Sequence, residues 1–165
     1  MTVFTPLKNV ESVLAILSKI SIFGGITNEQ RTEVFKRLET GIYQEGEFIF
    51  KTGDEPTHIY IVKTGVVDLR ISGERVVLHK KELGVGECFG EASLMSMHPH
   101  TASAVATEDC EIIVLSRHAL NQLRHEDSEL FSLLLMNIAR ELARRLKTTD
   151  DILLHYFHDH MKGSS

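Results

Sequence analysis

Gly84-Val85-Gly86-Glu87-Cys88-Phe89-Gly90-Glu91-Ala92-Ser93-Leu94-Met95 is the stretch on which the reading of this chain turns. Glycine-rich backbone leads into a short run of good helix formers. A helix start built from glycine and small residues exposes backbone N–H groups and favours an anion. The small side chains of Ala92 and Ser93 would let a phosphate approach the main chain. By themselves such turns are common, and Glu91 at a helix start is also a plain partner for the helix dipole. The flanking sequence has to decide between these readings.

From Gly41 to Leu115 short β-rich runs are separated by glycines at 46, 53, 65, 73, 84, 86 and 90. Gly53-Asp54 and Ser72-Gly73 are turn dipeptides. Strands are predicted at Gly41–Tyr43, Phe48–Phe50, His58–Thr64, Val66–Ile71, Val76–Leu83, Ala102–Thr107 and Glu111–Leu115. Many short strands with frequent turns predict an antiparallel sandwich or barrel. On the N-terminal side, Val13, Leu14, Ile16, Leu17 and Ile20 fall at helical spacing, so Ser12 to Ile20 reads as an amphipathic helix. Ile22-Phe23-Gly24-Gly25 breaks it. Thr27-Asn28-Glu29-Gln30 reads as a capping box opening a helix to about Leu38, with Val34, Phe35 and Leu38 inward. On the C-terminal side, Ser116 caps a helix to about Leu123, and a long helix runs from Ser128 to at least Lys147.

Three segments together resemble the cyclic nucleotide-binding domain family. They are Gly41-Ile42 through Gly46, Gly53-Asp54, Ile59-Tyr60-Ile61-Val62 and Gly65; the Phe89-Gly90-Glu91 cassette; and Pro99-His100-Thr101-Ala102-Ser103-Ala104. The family is the regulatory module of catabolite activator proteins, cyclic nucleotide-dependent kinases and gated channels. The resemblance runs from about Ile22 to Lys147. It implies an α+β, mainly β fold: an antiparallel β-roll flanked by N-terminal helices and two C-terminal helices, with a phosphate-binding cassette between the sixth and seventh strands. Together with the helical spacing before it and the polar residues after it, the resemblance divides the chain into 1–20 an amphipathic helix, 21–128 the β-roll with its flanking helices, 129–154 a lid or dimerisation helix, and 155–165 a polar tail.

The resemblance also implies a ligand site at Phe89, Gly90, Glu91, Ala92, Ser93, His100 and Thr101. Glu91 would accept the ribose 2′-hydroxyl, and the N–H groups of Ala92 and Ser93 would hold the cyclic phosphate. A hydroxyl at Thr101 can meet the nucleobase or phosphate. The family pattern places arginine where this chain has His100. Arginine carries a permanent charge and a two-pronged fork. Histidine offers one or two N–H donors and is mostly neutral at pH 7. Charge-assisted hydrogen bonds contribute about 1.5–3 kcal/mol, so the exchange lowers phosphate affinity roughly tenfold to a hundredfold. Read without the family, His100 is a surface histidine at a loop end.

The stripe Phe131, Leu135, Ile138, Leu142 and Leu146, widened by Leu130, Leu133 and Leu134, exceeds what one side of a β-roll must cover. It fits a homodimer seam or a helix sunk into its own domain. Among 165 residues, 42% hydrophobic and 25% charged, a single domain with a substantial core is expected. Two cysteines, Cys88 and Cys110, form no disulfide framework. The first nine residues carry no signal-peptide pattern, and apolar runs such as Leu133 to Met136 are far too short to span a bilayer. These readings place the domain in the cytoplasm, off the membrane.

The net charge is −5, and four basic residues between Glu129 and Asp151 are matched by four acidic ones, so no basic nucleic-acid face is expected. Lys147 is followed by 18 residues and no helix-turn-helix pattern, which argues against direct DNA binding. His98 and His100 form an H-x-H pair, but Pro99 interrupts any ladder strand and the next acid is Glu108, which argues against a metal site of the cupin kind. His155, His158 and His160 read as part of the polar tail. No catalytic constellation is legible, so no enzyme, metal or cofactor is expected. The sequence points to a stand-alone regulatory module binding cAMP or cGMP and signalling through a homodimer or an effector protein. The alternative is a degenerate member that no longer binds nucleotide and serves as an interaction and dimerisation module.

Overall fold

The computed structural model describes residues 2–8, 10–72 and 77–162. In chain order it contains β1 (Thr5–Pro6), α1 (Val10–Leu17), a 3-10 turn (Ser21–Phe23), α2 (Asn28–Phe35), β2 (Leu38–Tyr43), β3 (Phe48–Phe50), β4 (His58–Thr64) and β5 (Val67–Ser72). It continues with β6 (Val77–Leu83), β7 (Cys88–Phe89), α3 (Glu91–Ser96), β8 (Ser103–Ala106), β9 (Cys110–Ser116), α4 (Arg117–Glu126) and α5 (Ser128–Lys162). The strands form two antiparallel sheets, ordered β1-β2-β9-β4-β7 and β3-β8-β5-β6. This is the expected α+β, mainly β roll between N-terminal and C-terminal helices.

Two cores explain the sequence texture. Successive side chains of a strand point to opposite faces. In β4 and β9, Ile59, Ile61, Ile113 and Leu115 face the helices, while Tyr60, Val62, Ile112 and Val114 face the interior of the roll. Both faces are buried, so both strands read as nearly continuous apolar runs. The helical core adds Leu17, Ile20, Ile22, Val34, Leu123, Leu130, Leu134 and Ile138. Inside the roll, Phe50, Val67, Leu83, Phe89, Ala104 and Ala106 complete the second core.

Local signals hold where capping chemistry sets them. Thr27 accepts from the Gln30 N–H while the Gln30 side chain accepts from the Thr27 N–H. Ser116 Oγ accepts from the Ala119 N–H and opens α4. Element ends differ where tertiary pairing decides. The helix expected to reach Leu38 stops at Phe35, because Leu38 opens β2 opposite Leu115 of β9. The strand expected from Val76 is described from Val77; Val76 and Gly73 lie outside the described residues. Two strands of two residues each, β1 and β7, were not expected. The cassette accordingly lies between β7 and β8. The long helix does not give way to a polar tail at residue 155 but continues to Lys162.

The helix also corrects its own expected stripe. Ile138 is 1% exposed and belongs to the domain's helical core, so it is not available to a partner. Phe131 and Leu142 pack partly on that core, whereas Leu146 is 64% exposed. Beyond it Ile152, Leu153, Leu154, Tyr156 and Phe157 are exposed. No helix among the described residues is long and apolar enough to cross a membrane.

Two glycines at positive φ separate strain from packing. Gly53 (φ +92°) has nothing within 4 Å of a would-be Cβ. At Gly65 (φ +86°) a Cβ would lie 2.5 Å from Cys110 Sγ and 2.7 Å from the Asp109 carbonyl. Gly53→Ala is expected to lose only the left-handed backbone term of about 1–2 kcal/mol. Gly65→Ala adds an overpacking term of about 1–3 kcal/mol. Urea unfolding of the two variants should show the larger loss at Gly65.

Candidate functional site

The cassette is held by backbone geometry before any side chain acts. Gly90 caps α3 at φ +82°, and a Cβ there would lie 2.8 Å from the Tyr60 ring and 3.2 Å from the His58 carbonyl. Only glycine fits. The Leu94 N–H closes the first turn on the Gly90 carbonyl at 3.1 Å. Glu91 turns inward and is 1% exposed, while Ala92 is exposed and Ser93 half-buried at the mouth.

The structure brings all seven expected residues to one cleft. Phe89, Gly90, Glu91, Ala92, Ser93, His100 and Thr101 line it together with Phe50, Leu69, Ala102 and Arg145. Of these four additions, Phe50 and Arg145 change the chemistry.

Arg145 comes from α5. Its Nη1 donates to Glu91 Oε1, its Nη2 to the Cys88 carbonyl at 2.6 Å, and its Nε to Glu141 Oε1 at 3.1 Å. Glu141 in turn accepts from Ser21 Oγ at 3.1 Å and from Arg144 at 2.6 Å. One helical turn earlier, Asn137 Nδ2 donates to the carbonyls of Ile22 and Gly24, at 3.2 and 2.8 Å. The 3-10 turn therefore sets the register of α5, and α5 delivers a guanidinium to the cassette. Burial pushes the Glu91 carboxyl above the usual range, and the Arg145 charge opposes that push. Glu91 Oε2 is buried without a hydrogen-bond partner. The carboxylate expected to meet a ribose is thus half engaged and half open.

His100 is not a surface histidine. It is 3% exposed and stacks on Phe50, with centroids 3.7 Å apart and planes 8° apart. Phe50 lies in β3, far from the loop in sequence, so the linear reading had no means to see the slot. The backbone holds the loop: His100 N–H donates to the Asp54 carbonyl at 2.9 Å, and Gly53 N–H to the His100 carbonyl at 2.8 Å. His100 Nε2 is buried without a partner. Burial pulls its pKa down, with Asp54 acting weakly the other way. The imidazole is therefore neutral at pH 7 and offers one unused nitrogen at the cleft wall. Its neighbour His98 is exposed, with Nδ1 2.7 Å from the Ser96 carbonyl, so the H-x-H pair does not converge.

The cleft holds only about 80 Å³. Small-molecule sites typically offer about 300–1,000 Å³. Arg145, bonded to Glu91, is one of the side chains that line this narrow space. Arg145 escaped the sequence reading because its partner lies 54 residues away. A signal was nevertheless present: Leu130 and Leu134 continue at helical spacing into Asn137, Glu141 and Arg145, a polar extension of an inward face.

Removing the guanidinium leaves a nearly buried carboxylate without its counter-charge, so Arg145→Met is expected to destabilise by about 2 kcal/mol at pH 7. The sign with pH follows from the raised folded-state pKa of Glu91. Without Arg145 that pKa rises further, so the folded variant binds a proton that the unfolded chain has lost. Its stability falls as pH rises from the unfolded value toward the folded one. Denaturant unfolding should show a larger deficit against wild type at pH 7 than at pH 5. An equal deficit at both would mean that the lost contact is packing rather than charge.

Residues 41–127 match the family model described as the cyclic nucleotide-binding domain. A cAMP-dependent protein kinase regulatory subunit from Eremothecium gossypii is 34% identical over 111 residues, 67% of this chain and 23% of that protein. A cyclic AMP receptor protein from Thermus thermophilus is 34% identical over 132 residues, 78% of this chain and 58% of that protein. The crystal structure of a cyclic nucleotide-binding domain from Methylobacillus flagellatus superposes with a TM-score of 0.78 at 26% identity, covering 87% of this chain and 82% of that one. The matched region is under two thirds of the length of either curated relative. Sequence, strand order and cassette geometry agree, and the chain belongs to the cyclic nucleotide-binding domain family.

Proposed function

We propose that this domain is a regulatory module that binds cAMP or cGMP in the cleft between α3, the His100 loop and α5, and that it performs no catalysis itself. The observation that carries the reading is the convergence on one cleft of the cassette backbone, the inward Glu91 and the unpartnered His100 Nε2. Ala92 and Ser93 would offer backbone N–H groups to the phosphate, and Thr101 a hydroxyl. The ribose 2′-hydroxyl would meet Glu91 in competition with Arg145. A ligand that takes Glu91 from Arg145 favours release of α5, so binding is coupled to the one helix able to carry the change outward. Named relatives are a kinase regulatory subunit and a receptor protein, which supports signalling through a partner rather than chemistry on the ligand.

Calorimetric titration with cAMP and cGMP tests the reading, and pH tests the role of His100. A bound cyclic phosphate raises the histidine's pKa from its lowered value. Binding is therefore tightest where His100 is already protonated in the ligand-free protein. It weakens as pH rises to the ligand-bound pKa and is flat above it. We expect tighter binding at pH 6 than at pH 8, with at most about tenfold per pH unit inside the window. His100→Arg should bind more tightly and without that slope. Wild-type binding that is flat across this range removes His100 from the phosphate. No binding by either protein at millimolar nucleotide favours the interaction-module reading.

We also propose a parallel homodimer along α5, on a face displaced from the buried one. Phe131 and Leu135, Leu142 and Leu146, and Leu153 and Phe157 are three i,i+4 pairs recurring every 11 residues. That period is near 3.67 residues per turn and keeps a seam straight or slightly right-handed. Leu146, Leu153 and Phe157 are exposed along it. Light scattering at tens of micromolar should find a wild-type dimer and a Leu146→Glu/Leu153→Glu monomer. A monomeric wild type would rule the seam out.

A further inference from the structure

A larger cavity lies beside the nucleotide cleft. It holds about 370 Å³ between the N-terminal residues Thr2 and Phe4, β3 and β4, and it shares Phe50 with that cleft. Its walls are aromatic. Phe4 and His58 have centroids 4.8 Å apart at 56°, His58 and Tyr60 5.9 Å at 53°, and Phe50 and Tyr60 5.3 Å at 47°. Successive rings are turned by about half a right angle, so they form a faceted wall and not a flat stack. Asp54 and Glu55, both exposed acidic residues, are among those that line it. No lysine or arginine is among the described residues that line it. Lys51 is close by, with its Nζ 4.8 Å over the outer ring Phe48.

The charge state of the wall is fixed. Burial lowers the His58 pKa, so its imidazole is neutral at pH 7. Burial also raises Tyr60, to about 12, so its phenol stays neutral. A ring face carries negative potential, and several faces around one space attract a weakly hydrated cation. Asp54 and Glu55 add a net negative field. The volume lies within the range of small-molecule sites. An anionic nucleotide is disfavoured here on the same grounds. We propose that this aromatic cavity is a second site, which takes an alkylated ammonium group such as the head of choline or a methylated lysine. The site is independent of the nucleotide reading, since it uses none of the cassette residues.

Phe4 packs against the edge of the roll's core without being one of its fully buried residues, so it is the wall most readily moved. A Cβ at Gly41 would lie 2.9 Å from the Phe4 ring and 3.0 Å from Thr2, so Gly41→Ala displaces the ring by steric contact alone. Gly41 lies in β2 and carries no positive φ, so alanine is conformationally acceptable there. The test is NMR titration of the whole chain, following the His58 and Tyr60 ring resonances. Choline is expected to saturate with a dissociation constant on the order of millimolar. Its uncharged tert-butyl isostere should bind about fivefold more weakly, because it fills the space without the charge. Phe4→Ala and Gly41→Ala should each weaken choline by a similar factor. A trimethyl-lysine peptide identifies the source: much tighter binding than choline points to a protein tail, and equal or weaker binding to a free small molecule. No saturable shift with either probe at 100-fold above the expected constant overturns the proposal. Equal binding of choline and the isostere, or wild-type affinity in both variants, does the same.

Discussion

A carboxylate at 1% exposure is the constraint around which this molecule is organised. Burying an ionised group without a partner is far more costly than leaving it in water. Glu91 therefore needs a counter-charge, and the only route by which Arg145 reaches it is along α5. That route is fixed at the other end, where Asn137 bonds the carbonyls of Ile22 and Gly24 and Glu141 takes the Ser21 hydroxyl. The N-terminal turn, the long helix and the cassette are thus tied into one path. A helix that would otherwise only cover apolar surface also closes the cleft.

The cleft's other wall is a run of rings. Phe50 sits between His100 and Tyr60, and Tyr60 stacks on Phe89 at 5.2 Å. These rings come from β3, β4, β7 and the His100 loop, so both sheets contribute to one surface. Gly90 is the point where that surface allows no substitution, because the Tyr60 ring lies where a side chain would begin. Close packing makes the ring side the stiffer wall of the cleft.

The parts legible in the sequence were those with local chemistry. The caps at Thr27 and Ser116 were readable because side chain and backbone partner lie three residues apart. The β3 and β4 boundaries were readable because apolar residues filled each strand and glycine or proline punctuated it. β1 and β7 were not, since two residues carry no period. The cassette was legible because the glycines before it and the Pro99–Ala104 segment after it resemble the family; its glycine-rich turn is by itself a common feature. Arg145 and the Phe50 slot were not, because each is created by a contact across the fold. Leu38 shows the same limit from the other side: its spacing fits α2, and only pairing with Leu115 makes it a strand.

Burial decides what a side chain at position 100 costs. A guanidinium stacked on Phe50 at this exposure would carry a permanent charge that removal from water penalises. A neutral imidazole avoids that penalty. It leaves only one unmet hydrogen bond at Nε2, a deficit of about 1–3 kcal/mol. The flat ring also fills the stack against Phe50, so the closed cleft keeps its packing. A neutral ring in the stack is therefore compatible with the narrow cleft in which Arg145 holds Glu91. On the reading proposed above, an anion entering the cleft would have to supply both the proton affinity that the neutral His100 lacks and the energy to separate Arg145 from Glu91.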